Sequence, residues 1–210
     1  MGGRLYQREG ITLGPTALDS PIRINARAIL TNLSLVAEEV TSTAGQVDGD
    51  QLEALAASIR SAERIFVSGA GRSGLVLRMA AMRLMHLGLN VHVAGDTTTP
   101  AIRAGDLLLV ASGSGTTAGV VKAAETAAAS GARVAAVTTN PGSRLAELAD
   151  TVVIVPAAQK TDHGSGVTRQ YSGSLFEQVL FVLTESIFQT LWIHTDAPAE
   201  ELWLRHANLE

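Results

Sequence analysis

The 210-residue chain has no cysteine, which excludes a disulfide framework, thiolate metal sites and a cysteine nucleophile. Aromatic residues make up only 4% and charged residues 17%, against 46% hydrophobic, so one globular domain with a mainly aliphatic core is expected. There is no basic excess either: 16 Lys+Arg against 20 Asp+Glu leave a net charge of -4. That balance carries no footprint for nucleic acid or an anionic membrane, and an anionic ligand would have to be held by a local site. Long apolar runs are missing too. The most apolar stretch, Val179 to Trp192, is broken by Thr184, Glu185, Ser186 and Gln189 and is too short to span a bilayer. The Met1-Gly2-Gly3-Arg4 start lacks the apolar region of a signal peptide, so a cytoplasmic location is expected. With no HExxH and only scattered histidines, no metal and no cofactor are expected.

What is present has a clear order. Residues 1–24 combine Gly2, Gly3, Gly10 and Gly14 with Pro15 and Pro21 and show no period, which predicts an arm ahead of a single domain over 25–210. Ile29, Leu33, Val36, Ala37 and Val40 recur at helical spacing, and Asp50-Gln51-Leu52-Glu53 reads as a capping box opening a second helix to about Ala62. Short apolar runs then predict strands at Arg64–Ser68, Val91–Val93, Leu107–Ala111, Val134–Val137 and Val152–Val155. Helical patterns fall at Gly74–Leu87, Thr117–Ser130, Arg144–Ala149 and Ser174–Ile193. Strands this short and apolar, separated mostly by helices, predict a doubly wound α/β fold: a five-stranded parallel sheet flanked by helices, with the two N-terminal helices packed on it. Between Val93 and Leu107 there is no room for a good helix. The polar stretch from Pro156 to Gly173, with Asp162-His163-Gly164-Ser165-Gly166, is long enough to read as a functional lid.

Two loops carry the chemistry. The first strand leads into Gly69-Ala70-Gly71-Arg72-Ser73-Gly74 and a helix, the formal GxGxxG context of a dinucleotide site, with Asp96 where a ribose-binding acid would stand. The third strand ends in Ser112-Gly113-Ser114-Gly115-Thr116-Thr117 and enters another helix. First and third strands often flank the switch point of a doubly wound sheet, so both loops are expected to face one crevice. Ser73, Ser112, Ser114 and Thr117, two helix N-termini and Arg72 then make a tight anion site without an adenosine pocket, which suits a phosphomonoester. The alternative is that these hydroxyls are helix caps and the glycines tight turns.

The loops Gly71-Arg72-Ser73-Gly74 and Ser112-Gly113-Ser114-Gly115-x-Thr117 resemble the sugar isomerase (SIS) domain. Ala81-Met82-Arg83-Leu84-Met85-His86-Leu87-Gly88, Thr97-Thr98-Thr99-Pro100, Gly173-Ser174-Leu175-Phe176-Glu177 and Arg205-His206-Ala207-Asn208-Leu209 resemble the 6-phospho-3-hexuloisomerase family within it. The resemblance runs from about residue 29 to the end. It implies interconversion of D-arabino-3-hexulose 6-phosphate and D-fructose 6-phosphate in ribulose-monophosphate formaldehyde fixation, after a hexulose-phosphate synthase. It also implies a homotetramer, a dimer of dimers with sites at subunit interfaces.

Moving a carbonyl from C3 to C2 requires a base for a carbon-bound proton and stabilisation of a 2,3-enediol(ate). The resemblance implies Glu177 as that base, although Ser174-x-x-Glu177 also reads as a capping box. It implies His206, beyond the last long helix, as a proton shuttle contributed across an interface; a purely interfacial role is the alternative. Gly71, Arg72, Ser73, Ser112, Ser114 and Thr117 are the candidate phosphate and substrate contacts, with Asp96 and Thr97 at the same rim for sugar hydroxyls. His86 reads as a cation at a helix end, His92 and His194 as structural, and His163 as a loop residue. Phe176, Val179, Leu180, Leu183 and Ile187 form one apolar stripe from which Phe181 and Phe188 fall away. The rivals are another SIS aldose–ketose isomerase and a non-catalytic sugar-phosphate-binding module.

Overall fold

The structure, a computed structural model, describes residues 24–159, 166 and 168–209. The expected arm therefore lies, but for Ile24, outside the described residues, as does most of the Asp162-His163 loop. The chain divides into two units, 1–35 and 36–210. The first holds the opening of helix α1 (Ala26–Ala44), where Asn25 Oδ1 accepts from Ala28 N at 2.8 Å and Ile29, Leu30 and Leu33 are exposed.

The second unit is built on five strands: β1 Ile65–Gly69, β2 Val91–Val93, β3 Leu107–Ala111, β4 Arg133–Thr138 and β5 Thr151–Ile154. All pairs are parallel, in the order β2-β1-β3-β4-β5. Successive side chains of a strand point to opposite faces, so each continuous apolar run feeds two cores. Ile65, Val67, Leu107, Leu109, Val137 and Val153 pack under α2 (Gly49–Ser61), α3 (Gly71–His86) and α6 (Ser174–Thr195). Phe66, Leu108, Val110, Val134 and Ala136 meet α4 (Ala118–Ala129) and α5 (Arg144–Leu148) on the other side. This is the doubly wound sheet expected from the sequence. The outer edge of β5 is protected by α2: Gln51 Oε1 accepts from Ile154 N at 2.8 Å, satisfying an edge donor that would otherwise be open to pairing.

Several local expectations are corrected. Asp48, not Asp50, caps α2, accepting from Asp50 N at 2.8 Å and Gln51 N at 3.2 Å. Helix α3 begins three residues earlier than the apolar pattern suggests, at Gly71. A short helix that the sequence reading lacked, α7 (Ala199–Trp203), follows α6. Phe188, outside the core cluster that takes up the apolar stripe, is nonetheless buried, stacked on Trp192 and covered by the Arg83 guanidinium.

Among the described residues no helix is long and apolar enough to cross a membrane. The strand order reverses between β1 and β3, and the loops leaving their carboxyl ends are the two glycine- and serine-rich segments. The fold therefore delivers both loops to the crevice where doubly wound sheets bind ligands.

Candidate functional site

The β1 loop turns sharply because strand and helix nearly touch. A Cβ on Gly74 would sit 2.4 Å from the Gly69 carbonyl oxygen, so only glycine lets α3 start this close to β1. Gly71 and Arg72 stand exposed at that start, and Ser73 is buried beneath them. The β3 loop is fixed from beneath by β4. Thr138 Oγ1 and Thr139 Oγ1 donate to the Gly113 carbonyl at 3.1 and 2.8 Å, and Thr139 N donates to it at 3.0 Å. Within the loop, Ser112 and Thr117 join their hydroxyls at 2.9 Å, while Ser114 Oγ accepts from Thr116 N and Thr116 Oγ1. These hydroxyls lie together beside the start of α4, where backbone N–H groups and the helix dipole favour an anion.

Helix α6 brings a carboxylate to the first loop and an aromatic ring to the second. Its cap is Gly173, at φ 87°, so Ser174 is already inside the helix. Ser174 N donates to Tyr171 O at 3.1 Å. The capping-box geometry is thus absent, and the Glu177 side chain goes elsewhere: its Oε2 lies 3.0 Å from Arg72 Nε. Arg72 Nη1 also reaches Ser174 Oγ at 3.5 Å. The Phe176 ring lies against Gly113, where a Cβ would come within 3.5 Å. One turn of α6 thereby touches the first loop through Glu177 and the second through Phe176. The Glu177 side chain is 4% exposed and that of Arg72 60%. A buried carboxylate is reached by a cation that is itself open to a ligand.

The remaining candidates are placed differently. Asp96 is paired with Arg78 of α3, Oδ1 to Nη2 at 2.9 Å, and Thr97 is exposed beside it. Asp96 also borders a hollow of about 490 Å³ with Phe66, Pro100, Leu108 and Lys122, on the sheet face that the helix-free β2–β3 connection leaves thinly covered. A larger hollow of about 710 Å³ lies between α2 and the far half of α6, lined by Val47, Leu52, Ala56, Leu183, Ile187 and Leu191. Its wall is mainly apolar, with Glu53, Arg60, Ser186, Thr190 and His194 among its polar members, and neither glycine- and serine-rich loop borders it.

His206 lies at the opposite end of α3 from Arg72. Its ring stacks on His86, centroids 4.8 Å apart, and Trp203 covers it at 4.6 Å. Arg205 ties the tail down, Nη1 donating to the His86 carbonyl at 3.2 Å. From Arg72 to His86 there are fourteen residues of helix, about 21 Å of rise. His206 and Glu177 of one chain are therefore not brought together. His86 is 4% exposed; burial, then the charges of His206 and Arg83, hold its imidazole below the ordinary value. The environment thus disfavours the expected helix-end cation, and the ring stands in a stack.

Sequence reasoning missed Thr138 and Thr139. They follow an apolar strand and form no motif, and the only available signal was their position at a carboxyl end beside the switch point. Among the described residues no cluster of His, Asp and Glu has the geometry to hold a metal ion.

Residues 58–183 match the model of the SIS domain. The chain is 70% identical over 192 residues to the 3-hexulose-6-phosphate isomerase of Mycobacterium gastri, covering 91% of this chain and 96% of that protein. It is 38% identical over 176 residues to the 3-hexulose-6-phosphate isomerase of Bacillus subtilis, covering 83% and 95% respectively. A crystal structure from Methanococcus jannaschii, from which a 3-hexulose-6-phosphate isomerase function was inferred, superposes with a TM-score of 0.75 at 28% identity, covering 86% of this chain and 99% of that one. With the SIS model spanning most of the sheet and close relatives matching nearly end to end, the chain belongs to the SIS-domain family, among the 3-hexulose-6-phosphate isomerases.

Proposed function

We propose that this protein interconverts D-arabino-3-hexulose 6-phosphate and D-fructose 6-phosphate through a 2,3-enediol(ate), the second step of ribulose-monophosphate formaldehyde fixation. The identity of the substrate rests on one observation, the 70% identity to the Mycobacterium gastri enzyme across 91% of the chain. Other aldose–ketose isomerases and non-catalytic binding modules are not favoured by any comparable likeness.

The chemistry follows from the residues. The phosphate is held by Ser112, Ser114, Thr117 and the first N–H groups of α4, with Gly71 and Ser73 facing it from the β1 loop. Carbon 6 carries the phosphate on its oxygen, so the 3-ketose cannot close a five-membered ring through O6 and binds open-chain. Glu177 takes the proton from C2, and the electron pair moves through C2–C3 to the carbonyl oxygen on C3. Glu177 returns the proton to C3 as the O2 hydroxyl proton is transferred to O3, leaving the carbonyl at C2. While Glu177 is ionised it holds Arg72. Once protonated it no longer balances that cation, and the exposed guanidinium meets the oxyanion instead. The charge pair thus persists while its negative partner changes. Asp96, with Arg78 attached, and Thr97 serve hydroxyls at the rim.

Because His206 of the same chain stands far along α3, the proton transfer between O2 and O3 falls to His206 of the partner subunit. The reading therefore requires an oligomer, a homotetramer with sites at subunit interfaces, acting in the cytoplasm on the product of a hexulose-phosphate synthase. No metal ion is assigned a role.

Proton NMR of fructose 6-phosphate incubated with the protein in heavy water tests this directly. Exchange of the C3 proton, with a 3-ketose appearing at equilibrium, is the expected result. Exchange at C1 would instead mean an aldose–ketose isomerase, and exchange at neither carbon would point to another sugar phosphate or to a binding module.

A further inference from the structure

Glu39 lies on α1, remote in sequence from both loops, yet it holds the chain segment that leads into the first turn of α6. Its Oε2 accepts from Thr168 Oγ1 at 2.6 Å and from Gln170 Nε2 at 3.1 Å, and its Oε1 accepts from Arg169 N at 2.8 Å. Gln170 N donates to Thr168 Oγ1 at 3.0 Å, closing the segment into a compact turn. Gln170 Oε1 in turn accepts from Gln178 Nε2 at 2.9 Å. Gln178 is the neighbour of Glu177, and Tyr171 O receives Ser174 N. Side-chain bonds thus run unbroken from Glu39 through residues 168–170 to α6, beside the residues that meet Arg72.

The composition of this network favours an ionised carboxylate. Three donors converge on two oxygens, and a carboxylate is acceptor-only with lone pairs for all of them. Burial works to raise the Glu39 pKa, but the bonds from Thr168, Arg169 and Gln170 outweigh it and hold the carboxyl below its ordinary value. A glutamine of the same shape would turn an NH2 toward at least one donor, leaving two donors facing each other.

We propose that Glu39 is a positioning residue: through the 168–170 turn and Gln178 it fixes the first turn of α6 and so sets Glu177 against Arg72. The role rests on the isomerase reading above for its catalytic consequence, but the placement of the turn does not. A base must be held close to its near-attack position, and a displacement of about 1 Å can slow proton transfer about 100-fold while leaving a separate phosphate site intact. Glu39 touches neither phosphate loop in this network, so its effect should fall on kcat and not on KM.

The test compares the wild-type chain with Glu39→Gln and Thr168→Val in two measurements. Steady-state isomerisation of fructose 6-phosphate should show kcat lowered about 10- to 100-fold in Glu39→Gln with KM within about twofold. Thr168→Val, which removes one donor of three, should move kcat the same way by less. Amide hydrogen exchange of the unliganded proteins should quicken at Ser174, Glu177 and Gln178 in Glu39→Gln while β3 keeps its protection. Unchanged amide exchange at those three residues overturns the proposal. So does a parallel change of kcat and KM accompanied by loss of protection throughout the sheet, which would mean a merely structural role. If the wild-type chain exchanges no C3 proton but the three amides respond as stated, the isomerase reading fails and the positioning of the turn stands.

Discussion

His206 lies flat on His86, the two rings 26° from parallel, at the end of α3 remote from the Arg72–Glu177 pair. On the proposed reading, a proton shuttle there serves a second copy's site. Glu177→Gln and His206→Asn should each be nearly inactive alone. Co-assembled in equal amounts they should recover up to about a quarter of the wild-type sites, because some sites then combine an intact Glu177 with an intact His206 from the partner subunit. If both residues acted within one chain, no mixed site would be complete and mixing would restore nothing. Activity of the mixed oligomer after subunit exchange distinguishes the two arrangements.

Glu177→Gln by itself should lower kcat by about 100- to 10,000-fold, the usual range for losing a general base. The substitution keeps the shape of the buried side chain, and the β3 loop, with Ser112, Ser114 and Thr117, is held independently by Thr138 and Thr139. Isothermal titration with fructose 6-phosphate should therefore give an affinity close to that of the wild type. Near-normal turnover would return Glu177 to a structural role beside Arg72.

Much of this organisation is legible in the sequence because the signals are local and repeated. Five β-branched or aliphatic runs, separated mostly by helical patterns, leave few options other than a parallel sheet, and two glycine- and serine-rich loops at the first and third strand ends locate the crevice. What escaped was set by tertiary context. Asp48 and Asp50 are equally good caps on composition, and only the chain path chooses between them. Ser174-x-x-Glu177 satisfies a capping-box pattern, yet Gly173 takes the cap and frees Glu177 for an arginine distant in sequence. His86 reads as a helix-end cation until burial under His206 is seen. Glu39 carries no motif, since its meaning lies in the turn at 168–170, which no spacing rule connects to α1.

Gly115 offers a test of the second loop. Its φ is +66°, and a Cβ there would fall 2.0 Å from Ser143 Oγ. That hydroxyl caps α5 by accepting from Ala146 N, and Leu145 N donates to the Gly115 carbonyl. Gly115→Ala should thus combine backbone strain with a displaced cap, about 2–3 kcal/mol together. Because the strain sits among Ser112, Ser114 and Thr117, KM should rise more than kcat falls. A variant with wild-type KM would mean that these hydroxyls do not hold the phosphate.

Asp106 supplies the complementary case, a charge important to the fold but distant from the chemistry. It is fully buried at the start of β3, the opposite end of the strand from the serine loop. Arg64 grips it with two bonds, Nε to Oδ1 at 2.9 Å and Nη2 to Oδ2 at 2.6 Å, and Arg103 N adds a third at 2.8 Å. Burial pushes its carboxyl up, but these donors prevail and hold it below the ordinary value. A carboxyl with a lower pKa folded than unfolded contributes stability that is complete above the unfolded value, near 4, and lost as pH falls through the folded one. Asp106→Asn should cost about 3–5 kcal/mol at neutral pH by leaving Arg64 half-paired, a fall in Tm of roughly 6–20 °C for a chain of this size. The gap between wild type and variant should close on acidification below pH of about 4, while kcat measured well below either Tm should match the wild type. A constant gap down to strongly acidic pH would mean that Asp106 is not ionised in the fold. A lowered kcat at full stability would mean that the amino end of the sheet communicates with the serine loops through more than shared rigidity.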